Sequence, residues 1–171
     1  MTLIRPTRED DATLLPEIER SSGALFREVP DLAWIADDDV QSAEAHVDFL
    51  RNGLSLVAVD EHDRPLGFLC AASAEGVLHI WQLAVLQESQ GRGLGRALML
   101  AAIAHAHAHL FAAVTLTTFR DLKWNDHFYR TLGFATLAGD ELDARLVQIL
   151  ANEAAHGLRP ERRCAMRLTL A

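Results

Sequence analysis

The stretch from Leu83 to Leu98 constrains this chain most, because its two ends require different structures and its middle is poor in side chains. His79 to Val85 is short, largely apolar and bounded by polar residues, and it predicts a buried strand. From Gly95 onward the chain is rich in Leu, Ala, Met and Ile with no glycine or proline for many residues, and it predicts a helix packed on a sheet. Between them, Gln90-Gly91-Arg92-Gly93-Leu94-Gly95 sets three glycines at alternate positions. Such a turn leaves its backbone N–H groups uncovered.

The first N–H groups of a helix have no internal partner, and the helix dipole favours negative charge beside them. A phosphate suits that position, and Arg92 and Arg96 add positive charge at its mouth. Tight packing of strand against helix is the alternative use of the same glycines. The spacing excludes two better-known loops, since there is no Gly-Lys-Ser/Thr ending and no Gly-x-Gly-x-x-Gly.

Leu83-Ala84-Val85 followed by Gln90-x-x-Gly93-x-Gly95 resembles the acyl-CoA motif of the GNAT superfamily of N-acetyltransferases, including the strand before the turn and the helix after it. The resemblance implies an α/β (α+β) GNAT fold: a central mixed, mostly antiparallel sheet of about seven strands, with a splayed parallel pair and flanking helices. It implies acetyl-CoA as cosubstrate, its pyrophosphate held by Gln90, Gly91, Arg92, Gly93, Leu94, Gly95 and Arg96. The backbone of the Leu83, Ala84, Val85 strand would pair with the pantetheine arm.

Size and composition set the frame for this reading. A chain of 171 residues, half of them hydrophobic, is expected to form one domain, 1–171, with a sizeable core. No apolar run approaches the ~20 residues of a membrane span, and Met1 to Pro6 lacks a signal-peptide core, so a cytoplasmic protein without a membrane partner is expected. Cys70 and Cys164 sit in apolar, strand-like segments and read as reduced core residues. A net charge of −8 argues against nucleic acid, which needs a cationic face, and is compatible with a cationic amine.

Taken in order, Leu3 to Arg5 predicts a strand ended by Pro6, with Thr7 capping a helix whose apolar side is Leu14, Leu15 and Ile18. Ser21 to Ala36 is irregular but apolar, and the resemblance makes it a wall of the acceptor site, with Phe26, Glu28, Asp31 and Trp34 as substrate-binding candidates. Asp37 to Asp39 read as the polar start of a helix that carries Ala43, Val47, Leu50 and Leu54 on one face and ends near Gly53. Leu56 to Val59 and Leu66 to Ala71 form a hairpin across Glu61-His62-Asp63-Arg64, and a third strand follows Glu75-Gly76. The helix after the motif closes on Ala104-His105-Ala106-His107-Ala108-His109. His105 and His109 share a face as zinc ligands would, but no Glu or Cys accompanies them, so a surface or capping role is expected and no metal. Ala113 to Thr118 predicts a strand parallel to the motif strand, because a helix joins them.

Trp124 to Phe134 predicts a short helix with Trp124, Phe128 and Leu132 on one side, stopped by Gly133, with Phe134 opening a strand. It resembles the GNAT pattern of a tyrosine four residues before Gly-Phe, and it makes Tyr129 the group facing the CoA sulfur, with Phe128 and Asn125 on the CoA side. The family commonly has an asparagine seven residues before the tyrosine, where this chain has Leu122. Glu141 to Ala155 predicts an amphipathic helix, and Arg163 to Leu170 the final strand.

Amine acetylation needs a proton acceptor, a partner for the carbonyl oxygen and a way out for the thiolate. His79 matches the place of the family's base, four residues before Leu83; a strand histidine with water as the base is the alternative. The resulting expectation is transfer of an acetyl group to a primary amine of a small molecule in a ternary complex. A peptide or protein acceptor is the runner-up, a non-catalytic acyl-CoA sensor is the reading from another class, and a homodimer is compatible with either.

Overall fold

The computed structural model describes residues 2–171. Along the chain run β1 (Leu3–Pro6), α1 (Leu15–Ser22), α2 (Ala43–Asn52), β2 (Leu54–Val59), β3 (Pro65–Ala74), β4 (Val77–Val85), α3 (Leu94–Ala108), β5 (Ala113–Phe119), α4 (Asp126–Arg130), β6 (Ala135–Thr136), α5 (Ala144–Ala155) and β7 (Arg163–Thr169). The strands form one sheet in the order β1-β2-β3-β4-β5-β7-β6. β4 and β5 are parallel, while β1–β2, β2–β3, β5–β7 and β6–β7 are antiparallel. This is the α/β class and the mixed, mostly antiparallel sheet that the resemblance implies. Residue contacts group into two compact units, the chain up to Ser73 with Trp81–His105, and Ala74–Ile80 with Ala106–Ala171.

In the first unit, the apolar residues of strands at spacing two meet those of one helix face. Leu15 and Ile18 of α1, Val57 and Val59 of β2, Phe68 and Cys70 of β3 and Ala84 of β4 form one buried cluster, with Phe49 and Leu86 packed against it. Burying a side chain the size of Phe68 or Leu15 contributes about 1.5–3 kcal/mol. The hairpin turn is held by Asp60, whose Oδ1 accepts the N–H groups of His62 (2.8 Å) and Arg64 (3.0 Å). Asp63 takes a left-handed φ of 63° there, which Asp tolerates. From that position its carboxylate meets Arg5 (2.7 Å) and Arg8 (2.6 Å). Arg5 also grips Asp11 (2.7 Å) with both side chains largely enclosed, so β1, the turn after it and the hairpin are tied by one guanidinium. At the end of α2, a Cβ on Gly53 would lie 2.5 Å from the Ala71 carbonyl oxygen, so the step into β2 requires glycine.

In the second unit, β5 is registered with β7 from Ala113↔Thr169 to Phe119↔Arg163. Asp143 caps α5 by accepting the Leu146 amide at 2.8 Å, and Leu146 and Ile149 bury against Ala165, with Leu137, Leu142 and Leu150 around them. Glu153 accepts two bonds from Arg163 (3.0 and 3.1 Å) and one from the Thr117 hydroxyl (2.6 Å), a bidentate ion pair with a further hydroxyl on Oε2. That bond set fixes α5 to β5 and β7.

Several local expectations are corrected. Thr7 does not cap a helix: it is buried and its hydroxyl accepts from Ser55 (2.7 Å), while the chain first forms a 3-10 turn, Glu9–Thr13. Leu14 is 51% exposed, because that turn shifts the phase of α1 and leaves Leu15 and Ile18 inward. Asp37 to Asp39 end a 3-10 turn, Pro30–Asp37, and Ser42 caps α2 by accepting the Ala45 amide at 3.2 Å. Leu54 opens β2, and the buried residue of α2 is His46. Phe134 precedes β6 by one residue and is buried. Among the described residues no helix is long and apolar enough to cross a membrane.

Burial raises the pKa of Asp11, but the bonds from Arg5 and the Arg8 amide outweigh it and leave the carboxyl below its ordinary value. A carboxylate depressed in the folded state contributes stability above its unfolded pKa of about 3.9 and loses it as pH falls through the folded value. Asp11→Asn should therefore cost about 1.5–3 kcal/mol in urea unfolding at pH 7, with the gap to wild type closing below pH ~4. A gap that persists unchanged in acid would remove the charge of Asp11 from the account.

Candidate functional site

β4 presents its backbone unequally. The Leu86 amide donates to the Leu66 carbonyl (2.8 Å), and the Ala84 carbonyl lies so close to Gly67 that a Cβ there would come within 2.9 Å of it. Backbone groups of alternate residues point to the same edge of a strand. With Ala84 and Leu86 facing β3, the N–H and C=O of Leu83 and Val85 lie on the opposite edge. The parallel pairing of β4 runs from Val77↔Ala113 to Ile80↔Leu116, and β4 then continues to Val85.

The turn that follows is braced by Gln90, whose Nε2 donates to the Val85 carbonyl (3.0 Å) and whose amide donates to Gln87 (3.3 Å). Both donor groups of Gln90 thus serve the turn itself. Gly91 and Gly93 have φ of 78° and 81°, and a Cβ on either would meet nothing within 4 Å. Glycine is required there by backbone conformation, and the space in front of it is open. The first helical bond of α3 is Ala97 N–H to the Gly93 carbonyl (3.0 Å), so the amides of Leu94, Gly95 and Arg96 precede it. Leu94 is buried and anchors the turn, while Arg92 and Arg96 are exposed on it. A succession of amides, a helix N-terminus and two arginines on one turn are chemistry suited to an anion.

The candidates between Gly23 and Asp37 lie on two 3-10 turns, Gly23–Glu28 and Pro30–Asp37, that pack on each other. Leu32 and Ala36 are their buried anchors, Arg27 and Asp37 pair at 2.9 Å, Phe26 is half-buried, and Glu28, Asp31 and Trp34 are exposed.

In the second unit, Tyr129 lies on α4 between Phe128 (ring centroids 5.1 Å apart) and Phe134 (6.0 Å), both edge-on. Burial raises its phenol to about 12, opposed by the charge of Arg163. Asn125, just before α4, uses its side-chain oxygen to accept the Thr118 hydroxyl (2.6 Å). His79 is fully buried, and its Nδ1 shares a hydrogen bond with Thr115 Oγ1 (2.9 Å). Burial and then the charge of Arg145, against a smaller pull from Asp143, lower His79 to about 4. Arg145 of α5 donates to the same Thr115 hydroxyl at 3.0 Å.

Thr115 and Arg145 were not legible as site candidates, because a threonine in a strand and an arginine in a helix carry no motif. One signal existed: Arg145 puts a cation in the first turn of a helix, where the dipole disfavours it. Among the described residues the one metal-compatible cluster is Asp121, Asp126 and His127, and it excludes the alternating histidines. Its buried member, Asp126, already accepts from Arg130 at 3.3 Å.

Residues 20–134 match the acetyltransferase (GNAT) family. The chain belongs to the GNAT acetyltransferase family. It is 32% identical over 136 residues to mycothiol acetyltransferase of Actinosynnema mirum, which covers 79% of this chain and 44% of that protein. The chain thus spans less than half the length of that relative. Among solved structures it is similar in fold to the PaiA N-acetyltransferase from Thermoplasma acidophilum in complex with coenzyme A (TM-score 0.74, 16% identity, 99% of both chains). It is also similar to a GNAT acetyltransferase from Staphylococcus aureus (TM-score 0.71, 15% identity, all of both chains). The turn Gln90–Gly95 and Tyr129 both fall inside the segment that matches the GNAT family.

A histidine held at about 4 stays neutral through most of the acid range. In an NMR pH titration the ring signals of His79 should move near pH 4. The unfolded chain binds its proton near pH 6.5, so His79 lowers stability as pH falls from there toward 4. A midpoint near 6.5 in the folded protein would contradict the enclosed geometry.

Proposed function

We propose that this chain transfers the acetyl group of acetyl-CoA to the primary amine of a small molecule, by direct attack in a ternary complex. One observation carries the reading: the glycine turn, with left-handed Gly91 and Gly93, open space before them and the leading amides of α3 behind. In this reading the amides from Gly91 to Arg96 take the pyrophosphate, with Arg92 and Arg96 adding charge-assisted contacts. The backbone of Leu83 and the N–H of Val85 pair with the pantetheine arm as an added strand would, and one of these N–H groups serves the carbonyl oxygen as charge develops on it.

Tyr129 assists thiolate departure. A phenol raised to about 12 keeps its proton at neutral pH and is a much weaker acid than a thiol of pKa ~8.5. It therefore acts as a hydrogen-bond donor to the sulfur, and solvent completes the proton transfer. His79, lowered to about 4, is a weak proton acceptor at neutral pH. Water takes the amine proton in this scheme, and the observed rate should rise with the fraction of unprotonated amine. The apolar pair of turns carrying Phe26 and Trp34, with the exposed acids Glu28 and Asp31, forms the amine side and suits a compact cation. The CoA-bound state of the PaiA structure, alike in fold, is consistent with this reading of the donor side.

Two variants test the assignments separately. Gly93→Val places a β-branched residue at a φ of 81°, so CoA affinity by calorimetry should fall at least about tenfold with the circular dichroism spectrum retained. Unchanged affinity would reject the turn as the phosphate cradle. Tyr129→Phe should lower kcat about 10²- to 10⁴-fold with CoA affinity nearly constant. Equal turnover would remove Tyr129 from the chemistry.

A further inference from the structure

β5 carries a hydroxyl where its pattern asks for a methyl. Val114 and Leu116 are buried at spacing two along the strand, and Thr118 continues that face with 3% of its surface exposed. Valine differs from threonine there only by the hydroxyl, so packing alone does not account for the choice. A buried hydroxyl costs free energy unless it is bonded, and this one donates to Asn125 Oδ1 at 2.6 Å.

Asn125 stands at the entry to α4. Its amide donates to the Leu122 carbonyl (3.0 Å), and its carbonyl accepts the Tyr129 amide (3.0 Å), the first helical bond of α4. With five residues, α4 is too short to hold a position by its own backbone bonds. Asp126 accepts from the His127 amide (2.9 Å) and from Arg130 (3.3 Å), bonds that stay within α4, and Arg130 stands 3.5 Å from the Thr136 hydroxyl of β6. The short bond from β5 to Asn125 therefore fixes where the helix starts. Tyr129 follows one turn later, its ring set between the edges of Phe128 and Phe134, and its carbonyl accepts the amides of Leu132 (3.0 Å) and Phe134 (3.2 Å). Thr118, Asn125 and Tyr129 all belong to the second unit.

We propose that Thr118 is a positioning residue for acetyl transfer: through Asn125 it sets the start of α4 and so the place of the Tyr129 phenol. The proposal rests on the reading of Tyr129 as the donor to the leaving sulfur, and on bonds within the second unit for the positioning itself. A hydrogen bond to a leaving group weakens steeply with small displacements. A hydroxyl in the interior of β5 thus acts on the rate through the residue it places.

Tyr129 is the chain's one tyrosine, so tyrosine isotope-labelled at Cζ gives a single NMR signal that reports it alone. Thr118→Val should shift that signal at neutral pH, and Thr118→Ser should leave it at the wild-type position. In turnover, Thr118→Val should lower kcat about ten- to hundredfold, the effect of displacing a reacting group by about an ångström. KM for acetyl-CoA should stay within about twofold of wild type, and Thr118→Ser should restore kcat. Added to Tyr129→Phe, Thr118→Val should cost nothing further, because the hydroxyl it places is gone. A threonine that served folding alone would lower the amount of active protein, and thus the rate, by the same factor in both backgrounds.

A signal that does not move in Thr118→Val, a serine variant as slow as the valine one, or an equal loss of rate with and without the Tyr129 hydroxyl overturns the proposal. If Thr118→Val does not fold, Asn125→Ala breaks the same bond from its other end and is judged by the same signal and the same kcat comparison. If Tyr129→Phe turns over as fast as wild type, the reading of Tyr129 fails on its own and the role of Thr118 in the rate is overturned with it. The NMR comparison still decides, without turnover, whether Thr118 places the ring.

Discussion

The left-handed backbone at Gly91 and Gly93 is the constraint on which the turn between β4 and α3, and the phosphate cradle proposed for it, depends. A strand that ends at Val85 and a helix that starts at Leu94 can be joined in many ways. This join leaves amides pointing outward only because two residues adopt φ near 80° with no side chain in front of them. Gln90 closes the turn from behind by bonding the last carbonyl of β4, and buried Leu94 fixes where α3 begins. Strand, turn and helix are thus one device, in which packing sets the backbone and the backbone presents the donors.

The buried ionisable groups divide into two kinds. Arg5 with Asp11 and Asp63, and Arg163 with Glu153, are cations whose carboxylates are supplied by the chain, and each ties several elements together. Such pairs hold position more than they add net stability, because desolvation opposes the attraction. His46 and His79 are buried bases that stay neutral, pushed down to about 4 by burial. His46 lies edge-on to Phe68 and beside Cys70, and serves as a core residue of α2. Arg145 belongs to neither kind: Nη2 donates to the Thr115 hydroxyl, and Nε and Nη1 have no acceptor among the described residues.

Much of this was legible from the sequence where the physics is local. Two β-rich runs, Leu56 to Val59 and Leu66 to Ala71, across a polar turn gave the hairpin, the apolar run to Val85 gave β4, and a helix between two strands gave the parallel β4–β5 pair. The glycine spacing gave the turn. What was not legible depended on 3-10 turns and on distant partners. The turn at Glu9–Thr13 has three residues per turn, so counting at 3.6 misplaced Leu14; Leu54 falls at helical spacing from Leu50 but lies past Gly53, in β2. Hydrophobic periodicity also passed over His46, since a polar residue at the centre of a helix face reads as solvent-exposed. Arg145, Thr115 and His79 meet across 66 residues of chain, and only the parallel register of His79↔Thr115 brings them together.

The central claim is that this GNAT chain moves an acetyl group from acetyl-CoA to a small amine. Free-thiol release from acetyl-CoA, followed across amino acids, polyamines, aminoglycosides and short peptides, tests it most directly. The account predicts amine-dependent thiol release confined to one group of small molecules, in equal amount with the acetylated amine found by mass spectrometry. Thiol release with peptides alone, or tight CoA binding with no acceptor consumed, would contradict it.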